Sequence, residues 1–198
     1  MDFEGAKDFI LNRLSKELKP TLYYHSLTHT KNVWESTARL AKMENVSGKE
    51  MKLLETASLY HDSGMLIQYT DHELTSGLLA REILPNFHYT NPEIDLICEL
   101  ILITRLPQSA KSLSEAILCD ADLDYLGRED FFIHSFELQL EWNLNGIKKT
   151  NFLEWMQIQV QFLSGHHYFT KSAIQLRQDQ KMKNLSEIIE MLDLINNS

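Results

Sequence analysis

Glycine and proline are scarce, with seven and four in 198 residues. A sandwich or barrel of short strands needs turn residues at regular intervals, and this chain has too few to supply them. Cysteine is scarcer still. Cys98 and Cys119 each lie inside an apolar helical pattern, which rules out a disulfide scaffold and any Cys-x-x-Cys metal knuckle and fits buried free thiols in a reducing cytosol. Positive charge is in deficit: the net charge is −9. That argues against a partner such as a nucleic-acid polymer, whose binders usually show a basic patch. It leaves a small phosphorylated partner open, because a bound metal supplies local positive charge. The longest apolar runs, such as 100–103, are far too short to cross a bilayer. Residues 1–19 mix Phe3, Phe9, Ile10, Leu14 and Leu18 with charges, so they read as an amphipathic helix and not a signal peptide. The expectation is a cytoplasmic protein without a membrane partner. A glycine-rich phosphate loop and a Gly-x-Ser-x-Gly elbow are also missing, which removes P-loop nucleotide binding and α/β-hydrolase chemistry.

What is present is helical periodicity almost throughout. The pattern predicts helices over 3–18, 27–44, 47–61, 71–84, 92–104, 112–125, 128–145, 150–165, 169–178 and 182–196. Punctuation supports the breaks. Pro20 ends the first helix, Ser47 with Glu50 forms a capping-box pattern, and Pro92 fits a first turn. Gly127 and Gly146 fit helix ends. With 43% hydrophobic and 24% charged residues, the composition is that of an ordinary soluble globular chain. We expect one all-α domain over 1–198, with the last thirty residues read as a solvated helical tail.

Metal-ligand residue types recur in three of these helical segments. They are His29 within Tyr24–Thr30, the pair His61-Asp62 within Ser58–Gly64, and Asp122 within Asp120–Leu123. Two imidazoles and two carboxylates can hold a divalent transition metal and leave positions open. His25 and His29 are four apart and share a helix face. Neighbours on a helix point about 100° apart, so His61 and Asp62 can meet one ion only near a helix end, and Ser63-Gly64 supplies one. Asp122 lies among Ala116, Ile117, Cys119, Leu123 and Leu126, an inward position where an unpartnered carboxylate would be costly. Asp120 and Asp124 compete with it for the ligand role.

These fragments resemble the HD-domain superfamily of metal-dependent phosphohydrolases, whose signature is a histidine, a His-Asp pair and a later aspartate on an all-helical fold. The resemblance runs over roughly residues 22–128 in motif order and spacing, leaving 128–198 as additional helices. The run Tyr24 to Val33 is similar to the matching segment of the cyclic-nucleotide phosphodiesterase branch. The resemblance implies an HD-type helical bundle in which His29, His61, Asp62 and Asp122 ligate a divalent ion. It also implies that His25 is the acid toward the leaving oxygen. Ala121-Asp122-Leu123 fits the superfamily's pattern better than its two competitors do. Mn, Mg, Fe, Co, Ni and Zn all suit such a donor set.

Some relatives hold a second metal with histidines that follow the His-Asp pair. His72 is the candidate here, although Thr104-Arg105 stands where two-metal relatives carry a His-His pair. Arg105, Lys111 and Arg128 flank predicted helix ends, and Arg105 is the candidate clamp for substrate phosphate. Met65 follows Gly64, which breaks the pattern of a cyclic-dinucleotide branch. The expected function is metal-dependent hydrolysis of a small phosphoester, most naturally a nucleotide, by diesterase or monoesterase chemistry. In it Asp62 would also orient or deprotonate the attacking water. The alternative is a catalytically silent HD module that binds a nucleotide or metal and regulates a partner.

Overall fold

Side-chain oxygens open most of the helices. Asp2 accepts from the Gly5 amide at the start of α1 (Phe3–Glu17), and Ser26 accepts from the His29 amide at the start of α2 (Leu27–Met43). Reciprocal capping boxes start α5 (Asn91–Ile103), α6 (Leu113–Asp122) and α8 (Phe152–Gly165) through the pairs Thr90/Glu93, Ser112/Glu115 and Asn151/Glu154. The expected box at Ser47/Glu50 does not form. α3 (Gly48–Tyr60) is entered through Gly48 at φ 60°, Ser47 makes no cap bond, and Glu50 instead accepts from Ser114 Oγ at 2.6 Å. The remaining helices are α4 (His72–Ile83), α7 (Phe131–Leu144) and α9 (Lys171–Asn196). This computed structural model describes residues 1–196, and no strand occurs among the described residues.

Two hydrophobic clusters organise the bundle. The first gathers Ile10, Leu14, Leu40, Leu54, Ile97, Leu100 and Ile117 from α1, α2, α3, α5 and α6. The second gathers Tyr24, Leu126, Phe131, Trp155, Leu163 and Ile188, and so joins α7, α8 and α9 to the 3-10 turn Asp124–Gly127. Asp124 pins the two together. Its buried carboxylate takes Arg39 of α2 at 2.9 Å and a two-pronged bond from Arg177 of α9 at 2.8 and 3.0 Å.

The C-terminal region corrects the sequence reading. The expected helices 169–178 and 182–196 are one continuous helix, α9. The polar stretch around 178–184 does not break the helix, because its side chains are used across the bundle. Lys181 donates to the His166 carbonyl, and Asn184 donates to the carbonyls of Leu126 and Arg128. Both residues are buried, as are Leu185 and Ile188, so this segment is a packed helix and not a solvated tail.

A candidate metal centre beside an aromatic cavity

Three local devices aim the histidine and aspartate side chains at one point. The Ser26 cap fixes the first turn of α2, and His29 sits there on the buried face with Thr30 and Val33. α3 stops at Tyr60. His61 keeps helical angles, and Asp62 (φ −104°, ψ 9°) turns into the 3-10 segment Ser63–Leu66, so the two neighbours meet at the helix end as the sequence requires. Asp122 is the last residue of α6. Its competitors have other work. Asp120 accepts from the amides of Phe169 and Thr170 and from Thr170 Oγ1, capping α9, while Asp124 holds the two arginines.

The donor atoms converge closely. Asp62 Oδ2 lies 3.1 Å from His61 Nε2 and 3.3 Å from His29 Nε2, and Asp122 Oδ1 lies 3.4 Å from each of those nitrogens. The two Nε2 atoms are 3.3 Å apart. His61 Nδ1 donates to the Ser58 carbonyl at 2.7 Å, which leaves its Nε2 lone pair pointing into the cluster when the ring is neutral. Asp62 Oδ2 is buried without a hydrogen-bond partner. Lone pairs and carboxylate oxygens gathered this way repel one another until positive charge is placed among them. A mixed nitrogen and oxygen set also suits a borderline divalent cation. The residues therefore fit a metal.

The titration behaviour expresses the same demand. Burial pushes the His61 imidazole down, but Asp62 and Asp122 more than reverse it and hold it well above its ordinary value. His29 is raised by the same two carboxylates against burial. Burial drives Asp62 up, and His61, His29 and His72 overcome that and hold it well below the usual carboxylate range.

His72 and His25 form a second group around the other oxygen of Asp62. His72 Nε2 lies 3.2 Å from Asp62 Oδ1, while its Nδ1 donates to the Tyr69 carbonyl at 3.0 Å. Burial opposes a proton on His72 and Asp62 favours it, lifting its pKa to about 9. His25, Asp62 and His72 present ligand atoms within 4.8 Å of one another, so the structure brings His72 to the cluster. It does not bring Arg105 there. Arg105 is half exposed, pairs with Asp71 at 2.5 Å and is not among the residues that line the cavity.

Glu141 of α7 was not singled out from sequence and is central. Its fully buried carboxylate accepts from His25 Nδ1 at 2.5 Å, from the amides of Tyr24 and His25 at 2.9 and 3.0 Å, and from Tyr69 Oη at 2.7 Å. That fixes the His25 ring and leaves its Nε2 as the remaining functional nitrogen. The available signal was a charged residue at an inward position, three after Leu138 and four before Asn145. Gln108 was missed too, and it donates to Asp122 Oδ2 at 3.2 Å.

A cavity of about 260 Å³ opens beside the cluster. His25, Asp62, His72 and Asp122 line one side, and residues of α7 and α8, among them Trp142 and Trp155, line the other. No helix among the described residues is long and apolar enough to cross a membrane.

The HD domain family model matches residues 26–124, half of the chain. An uncharacterized protein of Clostridium beijerinckii is 35% identical over 81 residues, which cover 39% of this chain and 51% of that protein, so the chain spans about half the length of this relative. The crystal structure of a predicted HD superfamily hydrolase from an uncultured Thermotogales bacterium superposes with a TM-score of 0.64 at 18% identity, covering 94% of this chain and 91% of the other. At that identity the likeness is one of fold.

Proposed function

The chain belongs to the HD-domain superfamily, and from that premise we propose that it is a metal-dependent phosphohydrolase acting on a small phosphoester, with nucleotides the leading substrate class. The observation that carries this is the buried, partnerless Asp62 Oδ2 facing the Nε2 atoms of His29 and His61. His29, His61, Asp62 and Asp122 would hold the ion, drawn from Mn, Mg, Fe, Co, Ni or Zn. When bound, such an ion polarises a phosphoryl oxygen and makes water nucleophilic near neutral pH.

The chain's own groups do the rest. The Glu141 carboxylate holds His25 Nδ1–H, so His25 Nε2 is the position from which a proton reaches the leaving oxygen. Asp62 Oδ1, turned toward His72, can orient or deprotonate the attacking water. The apolar α8 side excludes bulk water, which strengthens each of these interactions. A small phosphorylated substrate, no nucleic-acid polymer and a cytoplasmic setting belong to the same proposal. His25, Asp62 and His72 could hold a second ion, and in that state His25 Nε2 would be a ligand and not an acid.

The test is metal content by mass spectrometry together with hydrolysis of p-nitrophenyl phosphate and bis(p-nitrophenyl) phosphate, for wild type and Asp62→Ala. The expected result is near-stoichiometric transition metal and turnover in wild type, both lost in the variant while helicity persists. Full activity in Asp62→Ala would remove the site from the mechanism. Stoichiometric metal without turnover of any phosphoester would instead favour a silent regulatory module.

A further inference from the structure

α7 is apolar on two opposite sides. Phe131 and Ser135 turn into the second core and are buried. Ile133, Phe136, Leu140 and Leu144 are between 38% and 61% exposed. At about 100° per residue these four fall within about 80° of one another, roughly half a turn from Phe131 and Ser135. A helix that is apolar all round is one with neighbours all round, and the outer side of α7 has none in the single chain. The patch continues past the helix, because Phe152 stacks on Phe136 with ring centres 6.2 Å apart and is itself 44% exposed. Taking roughly 200 Å² for each free side chain, these five present roughly 500 Å², in the upper part of the range of about 300–600 Å² for the largest patch on a monomer.

Charge narrows the choice of partner. No lysine or arginine occurs from 129 to 147. Glu129 is exposed just before α7, and Lys148 and Lys149 are exposed just after it. None of the three has an ion-pair partner among the described residues. An anionic bilayer surface selects lysine and arginine beside an apolar stripe, and here the flanks carry Asp130 and Glu137 instead. A second copy turned end for end answers the pattern. Positions 138 and 139 stand midway between Ile133 and Leu144, and also midway between Glu129 and Lys148. A two-fold axis at that point sets Ile133 opposite the partner's Leu144, Phe136 beside the partner's Leu140, and Glu129 toward the partner's Lys148, with each contact made twice. Antiparallel helices also place opposite ends of their dipoles together. An apolar centre inside a polar rim is the usual anatomy of an interface, and the rim brings the covered area toward the ~800 Å² per partner that a standard interface buries.

We propose that the outer face of α7 is the interface of a two-fold dimer, in which α7 packs antiparallel against α7 of a second copy and Glu129 of each faces Lys148 of the partner subunit. The inference is independent of the phosphohydrolase reading.

The experiment is sedimentation velocity on the full chain over roughly 1–100 μM, a range that brackets a micromolar Kd. The expected result for wild type is a dimer. Leu140→Glu sets two carboxylates near the axis and should raise Kd by about 100-fold or more, with the far-UV circular dichroism unchanged. Glu129→Lys alone and Lys148→Glu alone each bring like charges together and should weaken the dimer by about tenfold at low ionic strength, whereas the two combined should restore it to within about threefold of wild type. A wild-type monomer across the whole range would overturn the proposal, whether or not any variant folds. A dimer that survives in folded Leu140→Glu would move the interface off α7. Loss of the dimer in Leu140→Glu without restoration by the combined charge reversal would overturn the antiparallel register.

Discussion

His25 is useful only because Glu141 holds it. The acid role predicts that His25→Ala slows an alkoxide-leaving substrate by about 10²–10⁴ and p-nitrophenyl phosphate far less, since p-nitrophenolate needs little protonation to depart. Glu141→Gln keeps an acceptor for Nδ1 but removes the charge, so the same leaving-group dependence should appear in weaker form. Equal losses on both substrates, measured as kcat, would take His25 out of the acid role. Gly64 is a second residue whose identity follows from contact. A Cβ there would stand 2.1 Å from the His72 carbonyl oxygen and 2.8 Å from the Ser76 amide. The Gly64 amide itself donates to Ser76 Oγ at 2.7 Å. Gly64→Ala must push the first turn of α4 away and carry His72 off Asp62. We expect a loss of about 1–3 kcal/mol in a urea melt, with a metal content that matches His72→Ala. Two equivalents of metal in wild type and one in both variants would identify His72 as a ligand of the second ion. The four residues that converge at the candidate metal centre were legible because each lies in a short run of sequence. Glu141 was not, because its partner His25 is 116 residues away and no local pattern announces the pair.

At the level of elements, α9 hangs from side chains of other helices. Asp120 caps it with three bonds. Asp120→Ala strands the Phe169 and Thr170 amides, so a destabilisation of about 2–3 kcal/mol is expected by urea unfolding. A change under about 0.5 kcal/mol would mean that α9 finds another cap. The junction between α8 and α9 carries a pH dependence. Burial, followed by the charge on Lys181, lowers His166 from 6.5 to about 4. Unfolding therefore takes up a proton between those values, and the neutral ring's contribution, present above pH 6.5, is lost as pH falls through about 4. His166→Gln should flatten the dependence of Tm on pH over that window, and an equally steep slope in the variant would place the titrating group elsewhere. Helix positions were readable from apolar periodicity and from breaks such as Pro20, whereas the one cap pair read from sequence, Ser47/Glu50, does not form. The continuity of α9 was not readable, since Lys181 and Asn184 look like a polar break until the carbonyls they serve on α8 and on the turn after α6 are known.

The whole molecule is two cores with a cavity at their seam. The first core presents His29, His61, Asp62 and Asp122, and the second presents Leu138, Trp142, Trp155 and Phe162. Periodicity and the scarcity of glycine and proline made the all-helical class legible. The seam was hidden, because it depends on which faces of α7 and α8 turn toward α2 and α3, and the spacing of apolar residues does not specify that. The family match covers 26–124 and ends before α7 begins. The matched span therefore carries His29, His61, Asp62 and Asp122 but none of the wall that α7 and α8 build on the cavity. A change of side chain along α8 would reshape the space beside the cluster and leave those four residues where they stand. Membership in the family thus speaks for one flank of the cavity, and the other flank is this chain's own.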